Sequence, residues 1–364
     1  MSAPTQASPK PSQTNPALER AVGEREKAAR RWDKIRSYAI LLAIILLVIF
    51  NIFRIHNLIS NTPTFIERGT VGAEYARALQ QALNVNLSQV ATIVIVGVGM
   101  TLVIATGGID LSVGAVMAIA GQVAPLIFLG PIADRFGMGV ANTLALTVPI
   151  VVAGAFGLLN GLMITKLRFQ PIIATLVVFI GGRGIAQVLT NGYLQPFKNP
   201  EFQYIALGRP LGIPTQVYIM FAVVLVAALV VRRTAFGRYV LAIGGNERAA
   251  RLAGVPVTRV KTLVYVISGA LAGIAGLIVV AINAASDANL NGMNMELDAI
   301  AATAVGGTSL SGGQANILGT LLGALLIQLV RYTLISIGVP YEFALVVNAF
   351  IILVAVYFQR QRVV

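Results

Sequence analysis

The sequence predicts an all-α polytopic membrane protein with about ten transmembrane helices. Three observations carry that expectation. Of 364 residues, 57% are hydrophobic and only 11% are charged, whereas an ordinary soluble domain is about a quarter charged. Mean hydropathy is +0.81. Apolar stretches long enough to cross a bilayer recur along the chain, and a soluble fold of this size could not hide that much apolar surface.

A crossing helix needs roughly 20 mostly apolar residues, because lipid offers the backbone no hydrogen-bond partner. Nine stretches qualify: 38–53, 87–105, 113–129, 140–165, 171–190, 216–231, 262–284, 317–337 and 343–358. A tenth, 290–305, carries Asn291, Asn294, Glu296 and Asp298 and is expected to be short or broken. Lysine and arginine set the direction. With a cytoplasmic amino terminus, 19 basic residues fall inside and six outside, while Arg183 and Arg331 lie within spans. Both termini are then cytoplasmic. This asymmetry accounts for the net charge of +13 without any nucleic-acid partner.

The organisation reads as a cytoplasmic tail (1–37), a membrane domain (38–358) containing a cytoplasmic loop (232–261), and a cytoplasmic end (359–364). Residues 1–17 are rich in Ser, Pro, Gln and Thr and are expected to be disordered. Residues 18–36 mix acidic and basic side chains, as a solvated helix does. The tail is no cleaved signal peptide, because its apolar run starts too far in and no cleavage site follows. The chain has no cysteine, which excludes disulfide scaffolds, zinc ribbons and thiol catalysis. His56 is the one histidine and cannot build a metal centre alone. None of the six lysines follows a glycine, so there is no P-loop, and the chain is expected to be no enzyme and to hold no cofactor of its own.

Small residues four apart, at Gly157/Gly161, Gly269/Gly273, Ala272/Gly276 and Gly319/Gly323, mark faces where helix backbones approach closely inside the molecule. Two segments break the apolar pattern in related ways. Gly107-Gly108-Ile109-Asp110-Leu111-Ser112-Val113-Gly114 and Gly306-Gly307-Thr308-Ser309-Leu310-Ser311-Gly312-Gly313 agree at five of eight positions, 199 residues apart. Such an internal repeat of glycine-interrupted helices is the mark of transporters, whose half-helices face a polar pathway. Gly107, Gly108, Asp110, Ser112, Gly306, Gly307, Ser309 and Ser311 are therefore the candidate pathway residues. The copies run parallel if 290–305 is a full crossing and inverted if it is a half-span. Asp110 is costly in a bilayer and should face a cavity or a partner; alternatively, Asp110 or Ser112 caps the following helix. Glu296 and Asp298 face the same choice, with an external mouth as the plainer setting. Asn160, Gln170 and Phe179 could line a pathway, though packing or local capping suits each better.

In the loop 232–261, Asn246 can cap a helix over 247–253, Gly254 follows its end and Pro256 forbids continuation. A short helix carrying Glu247, Arg248 and Arg251 suits a groove on a partner protein. A bare basic connector is the other reading.

The runs 99–115, 242–254 and 296–302 with 306–313 resemble, in the right order, the sugar-type permeases of bacterial ABC importers, the ribose, xylose, arabinose and galactose group. The unbroken stretch through 121 is most similar to the galactofuranose branch. The resemblance covers roughly residues 87–358 and leaves 1–36 and 57–81 without a family signature. It implies the type II ABC importer permease fold, with about ten helices per subunit, in the bacterial inner membrane. It further implies ATPase subunits that bind ATP and magnesium, a second permease subunit, identical or paralogous, and a periplasmic sugar-binding protein. By the same analogy, Asn246, Glu247, Arg248, Arg251 and Gly254 form the coupling helix that docks on the ATPase. The rivals are an ABC permease for branched-chain amino acids, an ion-coupled secondary transporter and a membrane enzyme. No histidine lies within a span, and no nucleophile–base pair stands out.

Overall fold

The computed structural model describes residues 16–62 and 70–360. The disorder expected for residues 1–17 falls almost wholly on 1–15, outside the described residues, as does the extreme end 361–364. Helices follow one another along the chain: α1 (Pro16–Ser60), α2 (Val71–Ala105), α3 (Val113–Phe128), α4 (Pro131–Phe136), α5 (Met138–Thr165), α6 (Pro171–Leu189) and α7 (Pro200–Leu207). They continue with α8 (Thr215–Arg233), α9 (Ala235–Gly245), α10 (Glu247–Leu252), α11 (Val257–Asn283), α12 (Met295–Val305), α13 (Ile317–Ser336) and α14 (Tyr341–Arg360). The sheet is one antiparallel pairing of two residues each, β1 (Gln195–Pro196) and β2 (Ala285–Ser286).

Among the described residues, seven helices are long and apolar enough to cross a membrane. The other three expected stretches correspond to α3, α12 and α14. At 11 residues, α12 rises about 16 Å, roughly half the hydrocarbon thickness. Of the four polar residues of 290–305, Asn291 and Asn294 fall in the preceding loop and Glu296 and Asp298 in the first turn, so the helix begins only at Met295.

Helix α2 runs well beyond the expected 87–105. Residues 71–86 include Glu74, Arg77, Gln80 and Gln81, which lower the hydropathy, but no proline interrupts them, so the helix starts a further four turns earlier. From Val90 to Ala105 every residue is buried. A helix apolar on all sides belongs at the centre of the bundle, and α2 lies there, with α11, α12, α13 and α8 around it.

The small-residue pairs are internal seams, as the sequence indicates. A methyl on Gly157 or Gly161 of α5 would run into the backbone of Tyr265 or Thr262 on α11, and one on Gly269 into Ala153. Gly276 lies against Met117 of α3, and Gly319 and Gly323 of α13 lie against Gly306 and Ala302.

Candidate functional site

The first glycine loop connects α2 to α3. Gly107 ends α2 with a φ of +80°, a conformation that costs a glycine little. Gly108 leaves room for the Tyr265 hydroxyl directly above it. Asp110 is 1% exposed. Its Oδ1 accepts from the Ser112 amide at 3.0 Å and from Ser112 Oγ at 2.6 Å, and its Oδ2 accepts from Ser268 Oγ of α11 at 2.8 Å. Asn160 of α5 donates to Ser112 Oγ at 2.8 Å. Ser112 stands at the N-cap position of α3, but no side chain caps the first-turn amides. Asp110 instead closes its own turn and ties it to α11.

The second loop connects α12 to α13. Gly307 has a φ of +92° and lies against the Arg36 guanidinium of α1. Asn316 caps α13 by accepting from the Gly319 amide at 2.9 Å and also donates to the Gly306 carbonyl at 3.1 Å. Ser309 is half-buried and Ser311 exposed, and neither hydroxyl is drawn into the Asp110 cluster.

The two loops meet. The Gly313 amide donates to the Ala105 carbonyl at 3.0 Å. One turn inside, Thr101 Oγ1 shares a hydrogen bond of 2.7 Å with Thr320 Oγ1 and lies 3.5 Å from Thr303 Oγ1. Helices α2 and α12 therefore enter their loops side by side in the same direction, so the two copies run parallel even though α12 is only half a span, which corrects the expectation that a half-span would invert them. A third chain segment joins them. Gly244, at the end of α9, packs so closely on Ala105 and Gly313 that no side chain fits.

That third segment leads straight into the short helix of the 232–261 loop. Asn246 Oδ1 accepts from the Ala249 amide at 3.0 Å, starting α10, and Gly254 follows its end with a φ of +81°. The capping pattern behaves as read from the sequence. The preceding helix α9 lies where a connector is expected, and Thr234 starts it by accepting from the Gly237 amide at 3.3 Å. Arg248 is exposed on α10. Glu247 receives Arg251 at 3.0 Å and Lys261 of α11 at 2.8 Å. The hydrogen bond from Lys261 lowers the Glu247 pKa, partial burial opposes that, and the Lys261 and Arg251 charges add to the lowering.

Lys261 is the residue that sequence reasoning missed here. Lys261, Tyr265 and Ser268 recur on α11 at spacings of four and three, so they share one face. Helix α11 thus carries at one end the partner of Glu247 and, one to two turns on, both groups that face the Asp110 loop. Polar side chains at helical spacing within an apolar span were the available signal. Of the two acidic residues in α12, Asp298 pairs with Arg331 at 2.7 Å, while Glu296 is buried beside Gly114. Arg183 donates to the Ala288 and Asn291 carbonyls at 2.8 and 2.7 Å, holding the preceding loop against α6. Among the described residues no cluster of acidic residues or histidine could hold a metal ion.

A family model described as the permease component of the branched-chain amino acid transport system matches residues 83–356. The chain belongs to this permease family. All three glycine-bearing segments that converge at Gly244 fall inside the matched region. Among curated relatives, the chain is 42% identical over 282 residues to a galactofuranose transporter permease protein of Escherichia coli K12, covering 76% of this chain and 79% of the relative. It is 41% identical over 282 residues to the ribose import permease protein of the same strain, covering 76% and 84%. It is 36% identical over 281 residues to a fructose import permease protein of Bifidobacterium longum, covering 76% and 77%. No solved structure matches the chain. The protein is a multi-pass membrane permease, a transport component.

Proposed function

We propose that this permease is the membrane subunit of an ATP-binding cassette importer that moves a monosaccharide, a pentose or hexose such as galactofuranose, from a periplasmic binding protein into the cytoplasm. It works with ATPase subunits that bind ATP and magnesium and with a second permease subunit, identical or paralogous. It sits in the bacterial inner membrane with both termini cytoplasmic, on the basic-residue asymmetry. Residues 38–358 form the permease domain, and 232–261 form its coupling loop.

One observation carries this reading: the segment leading into the Glu247–Leu252 helix packs on the ends of both glycine loops, at Ala105 and Gly313. A helix docked on an ATPase at Glu247, Arg248 and Arg251 can therefore displace both loops at once. Asn246 and Gly254 set where that helix starts and stops. The loops carry Gly107, Gly108, Asp110 and Ser112, and Gly306, Gly307, Ser309 and Ser311, which form the substrate pathway. Support for a sugar comes from relatives named for galactofuranose, ribose and fructose.

Uptake into vesicles holding the chain, its ATPase and its binding protein tests the proposal. Labelled sugar should accumulate only with ATP inside reach of the ATPase, and a proton ionophore should leave accumulation unchanged. Ionophore sensitivity, or accumulation without the ATPase, would overturn it. The family description also names branched-chain amino acids, and leucine uptake by the same vesicles would favour that solute instead.

A further inference from the structure

We propose that the notch along the seam between α5 and α11 is a binding site for an anionic phospholipid. A groove of about 340 Å³ opens between these helices. Leu158, Leu162 and Lys166 line one wall at four-residue spacing, and Arg259, Leu263 and Val266 line the other. The helices run antiparallel here, so the walls match end for end. Lys166 directly follows the last turn of α5 and Arg259 lies in the first turn of α11. Both cations therefore stand at one end of the groove, and the leucines, the valine, Thr258 and Thr262 complete its lining.

The close approach of Gly157 and Gly161 to α11 brings the two backbones together on the inner side. Their larger side chains splay outward and leave the notch. Leu158 and Leu263 are exposed, so the notch opens sideways to the hydrocarbon. From Leu158 to Lys166 the groove runs about 12 Å along the helix, which spans the polar boundary and the upper part of an acyl chain. Neither Lys166 nor Arg259 has an ion-pair partner among the described residues, and no acidic residue lines the groove.

Two unpaired cations at the membrane boundary above an apolar slot complement a phosphate headgroup with its chain. A zwitterionic lipid fits less well, because its own ammonium would meet the two cations. A protein partner fits poorly too: a specific interface buries at least about 1,000 Å², far beyond a slot two side chains wide. The seam is the one that carries Tyr265 and Ser268 against the Asp110 loop, so a lipid wedged there would brace it.

The test uses the full chain, released from nanodiscs of equal phosphatidylglycerol and phosphatidylethanolamine and weighed by native mass spectrometry at low salt. The wild type should retain phosphatidylglycerol selectively. Each surface cation contributes about fivefold to such binding, so Lys166→Gln with Arg259→Gln should lower retention about thirtyfold. Leu158→Trp fills the slot, leaves both cations and should also displace the lipid. Arg238→Gln, an exposed cation on α9 outside the groove, should change nothing. Equal retention of the two lipids, undiminished phosphatidylglycerol in the double variant, or an equal loss in Arg238→Gln would overturn the proposal. So would a Leu158→Trp chain that keeps its lipid but no longer self-associates, which would make the groove a seam between copies.

Discussion

Replacing Gly244 by alanine adds one methyl group at the junction of α9 and the two glycine loops. Built on the backbone, that methyl would stand 1.8 Å from the Ala105 carbonyl oxygen and 2.4 Å from the Gly313 nitrogen. The segments must part by roughly 1.6 Å to restore an ordinary contact of 3.4 Å. Parting them breaks the bond of 3.0 Å from Gly313 to Ala105. Overpacking costs about 1–3 kcal/mol, and leaving the half-buried Gly313 amide and the buried Ala105 carbonyl without each other costs about 1–3 kcal/mol. Alanine recovers about 1 kcal/mol of helix propensity. The expected loss is about 3 kcal/mol. Gly245 is the control, since nothing lies within 4 Å of a methyl placed there. Unfolding in mixed micelles should therefore separate Gly244→Ala from both wild type and Gly245→Ala. At a temperature where the variant is folded, sugar taken up per ATP hydrolysed should fall if α10 docks as proposed, because the end of α9 no longer seats on both loops. Equal stability and an equal ratio in the two alanine variants would show that Gly244 does not join the loops to α10.

Other expectations follow from the same geometry. Asp110→Ala strands three donors and, at about 1–3 kcal/mol per orphaned group, should cost at least about 3 kcal/mol, whereas Asp110→Asn keeps an acceptor and should cost under about 1 kcal/mol in the same unfolding assay. Equal stability of the two would show that these hydrogen bonds do not hold the loop. Arg251→Glu with Glu247→Arg keeps a pair on α10 but sets like charges at Lys261; hydrolysis should persist while uptake falls several-fold, and unaltered uptake would argue against docking through this helix. Acidification should loosen α10. Because the folded Glu247 pKa is lowered, its contribution is full above its ordinary value of 4.5 and is lost as pH falls through the lowered one. Hydrogen exchange at Ala249 and Ala250 should show that loss, and Lys261→Gln should blunt it.

Much of this architecture is local and therefore visible in the chain itself. Hydropathy marks the spans because lipid cannot satisfy a bare backbone, and Asn246, Gly254 and Pro256 bound a helix through bonds made within one turn. The glycine pairs announced close seams, since only a missing Cβ lets two backbones touch. Where polarity and helicity diverge, the reading fell short: α2 begins at Val71 and α9 fills a presumed connector, because a dilute apolar pattern without proline still forms a helix. The Asp110 cluster lay beyond local reading altogether. Ser268 is 158 residues from Asp110, and Gly313 is bonded to Ala105 from the far side of the chain. No pattern along the sequence encodes which helices cross. Only the packed bundle, by stacking α11 on α5 and α2 beside α12, decided that both loops and the segment leading into α10 share one junction.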